Sequence, residues 1–154
     1  MNSSSNLDRQ MGFLTQLSTH GVSQPLVIPG DYTYESGYRA MQELVSRAKL
    51  PCGVLCSNDL MALGLIDAAR ALKLRMPEDI GVVGFDDNYI SSWPVYELSS
   101  MRQPIDDMAH KGVEILLRQI EEPGSGPQIC RYDLEIVPRR SSNLKGSFKK
   151  AVPR

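Results

Sequence analysis

The sequence predicts an α/β fold in which a parallel sheet is flanked by helices. Short apolar segments, long enough for strands, alternate with longer segments whose apolar residues recur at helical spacing. The short segments are apolar throughout, which is typical of parallel strands that are covered on both faces. Polar residues follow these segments, at the sheet edge where α/β proteins bind small molecules. Together these observations favour one compact domain with a binding crevice.

The first part of the chain predicts two helices with a strand between them. Residues 7–20 carry apolar side chains on one helical face, and Gly21 is well placed to end that helix. Residues 25–29 are a short apolar segment, which predicts a buried strand. The second helix is expected to begin at about Tyr34, where apolar residues again follow at helical spacing.

The middle of the chain predicts two strands joined by a helix. Residues 52–56 and 80–85 are apolar runs of strand length, and residues 60–72 form the helix between them. This helix is apolar on nearly all sides, so it must bury two faces. One face would pack on the sheet of its own chain. The other is expected to be buried either within the same chain or against a second subunit.

The last part of the chain differs from the repeating pattern. Residues 99–104 predict a short extended connection that Pro104 stiffens. Residues 105–120 predict an amphipathic helix with a single apolar stripe. After a loop at residues 123–127, polar and apolar residues alternate over residues 129–138, which predicts a final strand at the sheet edge.

Polar side chains are expected to converge at one rim of the sheet. Right-handed connections between parallel strands place the carboxyl ends of all strands on the same side. The residues that follow the three predicted strands are Gly30, Asp31 and Tyr32; Ser57, Asn58 and Asp59; and Asp86, Asp87 and Asn88. This convergence predicts a crevice that binds a small molecule.

Composition places the chain among ordinary soluble proteins. Hydrophobic residues make up 42% of the sequence, and no apolar run approaches the ~20 residues of a membrane helix. The first residues lack the layout of a secretory signal, and three cysteines suit a reducing compartment, so we expect a cytoplasmic protein without a membrane partner. From Arg139 onward, six basic residues occur without an acidic one. This tail is expected to be disordered rather than to contact nucleic acid.

Several motifs occur together and in a definite order along the chain. They are Arg9 with Gly12-Phe13; Gly30-Asp31 and Glu35-Ser36-Gly37; Ser57-Asn58-Asp59; Met61-Ala62-Leu63-Gly64; Pro77-Glu78-Asp79-Ile80; Val83-Gly84-Phe85-Asp86-Asp87; Arg102-Gln103-Pro104; and Arg139-Arg140-Ser141-Ser142. Their ordered combination resembles the effector-binding region of the LacI/GalR family of bacterial transcriptional repressors.

The resemblance implies a particular domain organisation. Residues 1–142 would be an incomplete effector-binding and dimerisation domain, the C-terminal subdomain of a type I periplasmic-binding-protein-like fold. Residues 143–154 would be the basic disordered tail. No helix-turn-helix is present, so contact with DNA is expected only through an absent N-terminal domain. The apolar stripe of residues 105–120 would pack against the absent subdomain and is otherwise expected to be exposed.

The resemblance also implies a ligand site for a sugar or a related metabolite. The residues that match the ligand contacts of the family are Arg9, Asn58, Asp86, Tyr32, Ser3 and Ser5. Arg9 would donate to ligand oxygens, Asp86 would accept from neighbouring hydroxyls, and the Tyr32 ring would stack on the ligand.

Asn58, Asp86 and Arg9 are predicted ligand contacts for which another interpretation is open. Asn58 is favoured as a ligand contact, although asparagine also commonly caps a helix. Asp59 is expected to have a structural role, and Asp86 is preferred over Asp87 as the ligand contact. Arg9 could instead form only a surface ion pair.

A homodimer is implied as well. The residues that match the dimer contacts of the family are Tyr34, Leu63, Asp67, Ile90, Ser91 and Trp93. Trp93, the single tryptophan, would be an interface anchor, cleft lining or part of the core.

Catalysis is not expected. Asp86 and Asp87 are adjacent on a strand, so they point to opposite faces and are poorly placed to share a substrate. His20 and His110 lie on separate predicted helices, and no set of metal ligands or cofactor-binding loop is present in the sequence. The predicted function is therefore effector sensing and dimerisation in a transcriptional repressor, with no cofactor. A sugar-binding protein of the same fold, and a fragment that only dimerises with a longer relative, are the alternatives.

Overall fold

The computed structural model describes residues 4–22 and 24–142, with side chains described from residue 7 onward. Within these ranges the regular elements follow one another along the chain. They are α1 (Ser4–Thr19), α2 (Tyr34–Arg47), β1 (Cys52–Leu55), α3 (Asp59–Ala71), β2 (Ile80–Asp86), a short 3₁₀ helix (Tyr89–Ser92), β3 (Ser99–Arg102), α4 (Ile105–Glu121) and β4 (Glu135–Val137). The predicted tail, residues 143–154, lies outside the described residues.

The strands form a mixed sheet with the order β1-β2-β3-β4. The first three strands are parallel, with Val54 opposite Val82 and Asp86 opposite Arg102. β4 returns antiparallel to β3. The α/β fold with a helix-flanked sheet is confirmed, and the carboxyl ends of β1, β2 and β3 share one rim.

The core lies between the sheet and the pair of helices α2 and α3. Met41 of α2, Ile66 of α3 and Val82 of β2 are completely buried there. Nine of the 13 residues of α3 are buried within this single chain. Of the two alternatives for the second face of this helix, the structure therefore supports packing against its own chain.

Two predicted strands differ from the structure. Residues 25–29 form no strand: Leu26 and Ile28 pack against the core and Val27 is 49% exposed, but no ladder joins them to β1. Pro25 and Pro29, which lack an N–H donor, bound the segment and limit its pairing. Of residues 129–138, only 135–137 pair, because β3 offers a partner of only four residues.

α4 carries an apolar stripe that nothing described covers. None of its 17 residues is buried. The exposed apolar side chains are Ile105, Met108, Val113, Leu116, Leu117 and Ile120. The stripe is thus exposed, as expected for this chain alone. Among the described residues, no helix combines the length and the apolar character needed to cross a membrane.

Candidate functional site

Side chains from α1, β2 and the end of β3 meet at the rim of the sheet. We define the rim cluster as Arg9, Ser57, Phe85, Asp86 and Gln103. The Arg9 guanidinium donates from Nη1 to the backbone oxygen of Ser57 (2.7 Å) and lies 3.7 Å from the centre of the Phe85 ring. Its Nη2 is 4.0 Å from Asp86 Oδ1. Gln103 Nε2 donates to the same Oδ1 at 2.8 Å. Arg9 therefore has partners within the fold and is more than a surface ion pair.

Asp86 lies at the centre of the rim cluster. It is the last residue of β2, and its backbone has a positive φ of 109°, which non-glycine residues rarely adopt. Its side chain is 39% exposed. Partial burial raises the pKa of Asp86 above its ordinary value, as does the charge of Asp59, while the Arg9 charge and the Gln103 hydrogen bond act in the opposite direction. Asp86 is thus a half-exposed hydrogen-bond acceptor whose position is held by Gln103 and Arg9.

Asp87 has a different environment from its neighbour. Its side chain is 4% exposed and forms ion pairs with Arg102 (2.7 Å) and Arg139 (2.6 Å). Burial alone would raise the pKa of Asp87, but the hydrogen bonds from Arg139 and Arg102 outweigh burial and lower it. Asp87 is therefore a structural anion, which leaves Asp86 as the carboxylate available to a ligand.

Asn58 caps α3. Its Oδ1 accepts from the backbone N–H of Met61 (3.0 Å), and its Nδ2 donates to the backbone oxygen of Tyr32 (3.0 Å). The sequence predicts a ligand contact in preference to a cap, whereas both ends of the amide are engaged within the protein. The geometry shows the cap, because an asparagine that precedes a helix satisfies an otherwise unpaired N–H there. Within the described part of the chain, the second amide hydrogen of Asn58 has no acceptor.

Tyr32 follows the segment at residues 25–31 and has a left-handed backbone with φ of 68°. Its side chain is half-buried, and its backbone oxygen accepts from Asn58 at the start of α3. The turn is held by Asp31, whose Oδ1 accepts from the backbone N–H of Thr33 (3.1 Å). Hydrogen bonds from Thr33 and Ser36 lower the pKa of Asp31 to about 2. Asn58 and this turn together fix the backbone of Tyr32 next to the rim cluster.

Asp59 is the buried tie that holds the rim together. It is completely buried and accepts three hydrogen bonds: from the backbone N–H of Asn88 (2.8 Å), from Ser91 Oγ (2.7 Å) and from Ser100 Oγ (2.6 Å). The start of α3, the loop after β2 and strand β3 are therefore joined through one carboxylate. The expected structural role of Asp59 agrees with this geometry.

Gln103 is a residue of the rim cluster that the predicted ligand contacts do not include. Its signal was present, because Gln103 is the central residue of the Arg102-Gln103-Pro104 motif, one position beyond the end of β3. Of the other predicted ligand contacts, Ser3 lies outside the described residues. Ser5 lies in α1, but its side chain is outside the described part of the chain.

The predicted dimer residues separate into two groups. Leu63 and Ser91 are 4% and 0% exposed within the single chain. Their assignment to an interface is corrected, because these side chains are buried inside the protein and present no surface to a partner.

The other dimer candidates retain accessible surface. Tyr34 and Asp67 are half-buried and joined by a hydrogen bond of 2.9 Å. Burial and this bond raise the pKa of Tyr34 to about 12. Ile90 is half-buried, and Trp93 is 43% exposed, with its ring edge-on to Tyr89 at 5.6 Å.

Two open grooves lie away from the rim cluster. One, of about 390 Å³, runs between residues 28–31 and α2, and the other, of about 270 Å³, lies between Arg70 and Arg140. Neither includes Arg9, Asn58 or Asp86. The rim cluster is an open surface, and we consider it the better candidate because donors and acceptors converge there.

Known proteins that match this chain are periplasmic binding protein-like domains and transcriptional regulators. Residues 2–142 match the periplasmic binding protein-like domain. The chain is 34% identical over 139 residues to ExuR of Bacillus subtilis (strain 168), named a probable HTH-type transcriptional repressor, covering 89% of this chain and 42% of ExuR.

Two solved structures are similar as well. A complex of the transcriptional regulator CelR with cellobiose is 31% identical, with a TM-score of 0.82, covering 88% of this chain and 42% of CelR. A dimeric Lac repressor is 28% identical, with a TM-score of 0.81, covering 91% of this chain and 51% of that protein. The chain thus spans about half the length, or less, of these relatives.

Proposed function

Because this chain belongs to the LacI/GalR family of transcriptional regulators, as a periplasmic binding protein-like effector region, we propose that its rim cluster binds the effector of such a regulator and that this effector is a sugar. The convergence of Arg9 and Gln103 on Asp86 carries the proposal. A forked cation, a neutral amide and a half-exposed carboxylate together supply the donors and acceptors that sugar hydroxyls require. The cellobiose complex of CelR, a relative of 31% identity, supports a sugar over other small molecules.

Each residue has a distinct role in this proposal. Asp86 accepts hydrogen bonds from ligand hydroxyls, and Arg9 donates to ligand oxygens from a guanidinium fixed on Phe85. Tyr32 covers an apolar face of the sugar ring. Asn58 supplies its remaining amide hydrogen. In this proposal no bond in the ligand is broken, since Asp87 is neutralised by two arginines and, among the described residues, no second free carboxylate lies beside Asp86. We therefore propose a sensor and not an enzyme.

The wider function follows from the relatives. In a complete regulator, effector binding would shift the population of conformations and so change DNA binding by another domain. We place the protein in the bacterial cytoplasm, where its operator would be. We also propose a homodimer through Tyr34, Asp67, Ile90 and Trp93, which the dimeric Lac repressor supports by analogy.

Titration of the purified chain with neutral sugars tests the proposal. Cellobiose, glucose, galactose and ribose would be added while the amide resonances of the protein are followed by NMR. The rim cluster is an open surface that contacts a ligand from one side. We therefore expect only millimolar affinity for one of these sugars, about −4 kcal/mol. A panel in which no sugar shifts the resonances of the rim cluster would refute the proposal, and a submicromolar constant would refute its weak-binding part.

Matched aspartate variants assign the binding to the rim cluster. Asp86→Asn keeps the size of the side chain but removes its charge, and a lost charge-assisted hydrogen bond is expected to weaken binding at least tenfold. Asp106→Asn, an exposed residue in the first turn of α4, is the control and should bind as the wild type does. Equal affinity of all three proteins would place the ligand elsewhere.

Sedimentation of the Trp93→Ser variant tests the dimer. The wild-type chain is expected to associate at high concentration and the variant to remain monomeric. A dimer without any sugar response would instead favour the alternative function, in which the chain acts only by pairing with a longer relative. A sugar response without a dimer would favour a monomeric sugar-binding protein.

A further inference from the structure

We propose that Gln103 is a positioning residue of the effector site, because its side-chain amide holds one oxygen of Asp86 and directs the other to the ligand. The inference rests on the proposed function and deepens it. It assigns a role in ligand recognition to a residue that does not itself need to touch the ligand.

The contacts of Asp86 are unevenly distributed between its two oxygens. Gln103 Nε2 donates to Oδ1 at 2.8 Å, and Arg9 Nη2 approaches the same oxygen at 4.0 Å. No residue in the described ranges donates a hydrogen bond to Oδ2. Because the side chain is 39% exposed, Oδ2 is the acceptor that a hydroxyl-rich ligand can reach.

The backbone keeps Gln103 next to Asp86. β2 and β3 are paired so that Asp86 lies opposite Arg102, which places Gln103 one residue beyond the paired end of β3. The backbone oxygen of Gln103 accepts from the N–H of Ile105 at 2.9 Å, which fixes the turn into α4. Gln103 thus lies in a two-residue connection held between β3 and α4, so regular elements on both sides limit its movement.

A neutral amide suits this position for an electrostatic reason. The groups that face or surround Asp86 are Arg9 from α1, Asp59 from α3 and Gln103 after β3. A second cation beside Oδ1 would compete with Arg9, and a carboxylate would repel Asp86. The glutamine donates a hydrogen bond without adding a charge beside Asp86, and this bond favours the ionised form, which is the better acceptor.

Two variants of Gln103 separate positioning from simple packing. Gln103→Leu has similar size but no donor, and Gln103→Glu has the same shape but carries a negative charge at neutral pH. Gln42→Leu, an exposed glutamine on α2 without a described hydrogen bond, is the matched control. Thermal unfolding of all variants would establish that each one folds.

The first measurement needs no ligand. The side-chain carboxyl carbon of Asp86 is followed by NMR during acid titration, which reports the pKa of this group directly. We expect the pKa of Asp86 to be higher in both Gln103 variants than in the wild type and unchanged in Gln42→Leu. An unchanged pKa in Gln103→Leu and Gln103→Glu would overturn the inference, whatever the ligand is.

The second measurement uses cellobiose as the first probe and then the other sugars named above. We expect binding to weaken about tenfold in Gln103→Leu, the loss that one hydrogen bond of this kind accounts for. In Gln103→Glu, binding should be weaker still at pH about 7, because the added carboxylate repels Asp86 and removes its hydrogen-bond donor. A purely packing role would leave Gln103→Glu, the closer match in shape, less affected than Gln103→Leu.

The outcomes distinguish this inference from the proposed function. If the wild type binds a sugar and both Gln103 variants bind it equally well, the inference is overturned and the proposed function stands. If the wild type binds none of the sugars, the proposed function is refuted and the inference is refuted with it.

Discussion

Replacing Gly37 by alanine should force apart the two helices that form the core. A Cβ at Gly37 in α2 would lie 2.0 Å from the backbone oxygen of Met61 in α3 and 2.7 Å from its Cα. The opposite helix has the same feature, since a Cβ at Gly64 would lie 2.0 Å from the backbone oxygen of Tyr34. Both obstructing groups belong to helix backbones, so no side-chain rotation can remove the contact.

The magnitude follows from the required displacement. Real Cβ contacts are essentially never shorter than 3.0 Å, so α3 must move away from α2 by about 1 Å. Overpacking of this kind costs about 1–3 kcal/mol, and more where the backbone cannot yield. Alanine is a better helix former than glycine by about 1 kcal/mol, which offsets part of that cost. Because the obstructing atoms are backbone, we take the upper end of that cost, about 3 kcal/mol, and expect Gly37→Ala to lower the free energy of unfolding by about 2 kcal/mol.

Urea unfolding followed by circular dichroism measures this change. Gly112→Ala in α4 is the matched control, because a Cβ there meets nothing within 4 Å. It should gain about 0.5–1 kcal/mol from helix propensity alone. If Gly37→Ala is stabilised as much as Gly112→Ala, the close approach of α2 and α3 is not as described, and the argument is refuted.

Three further predictions concern stability and association. Asp59→Ala should lower the free energy of unfolding by about 3–5 kcal/mol in urea titrations, because three donors, two of them buried serine hydroxyls, lose their acceptor. The pKa of Asp79 is lowered to about 2 by the hydrogen bonds of Arg75. Its stabilising contribution is therefore complete above the unfolded pKa near ~4 and is lost as the pH falls towards about 2, and acid unfolding of Asp79→Asn should lack this component. Leu116→Lys should reduce binding of an apolar dye to α4 and leave the free energy of unfolding within about 0.5 kcal/mol, because nothing described packs on that stripe.

The sequence by itself determined the elements whose signals are local. α2 begins, and α3 and β2 begin and end, close to the predicted residues, because helical spacing and an unbroken apolar run act within a few neighbouring residues. The shared rim followed as well, since it needs only parallel strands and right-handed connections. The likeness to one family, carried by ordered motifs, was also present in the sequence alone.

Only the tertiary structure decided which groups pair with which. Residues 25–29 have the composition of a strand but form no backbone hydrogen bonds with the sheet. β4 pairs with β3 in the antiparallel direction. Leu63 belongs to the core of this chain, whereas the family resemblance implied that it contacts a second subunit. Asn58 donates to the backbone oxygen of Tyr32, which lies far away in the sequence, and Gln103 reaches Asp86 on the neighbouring strand. The physical reason is common to all of these: a hydrogen-bond partner or a covering face is supplied by residues far away in the sequence, and no local pattern records which distant group will arrive.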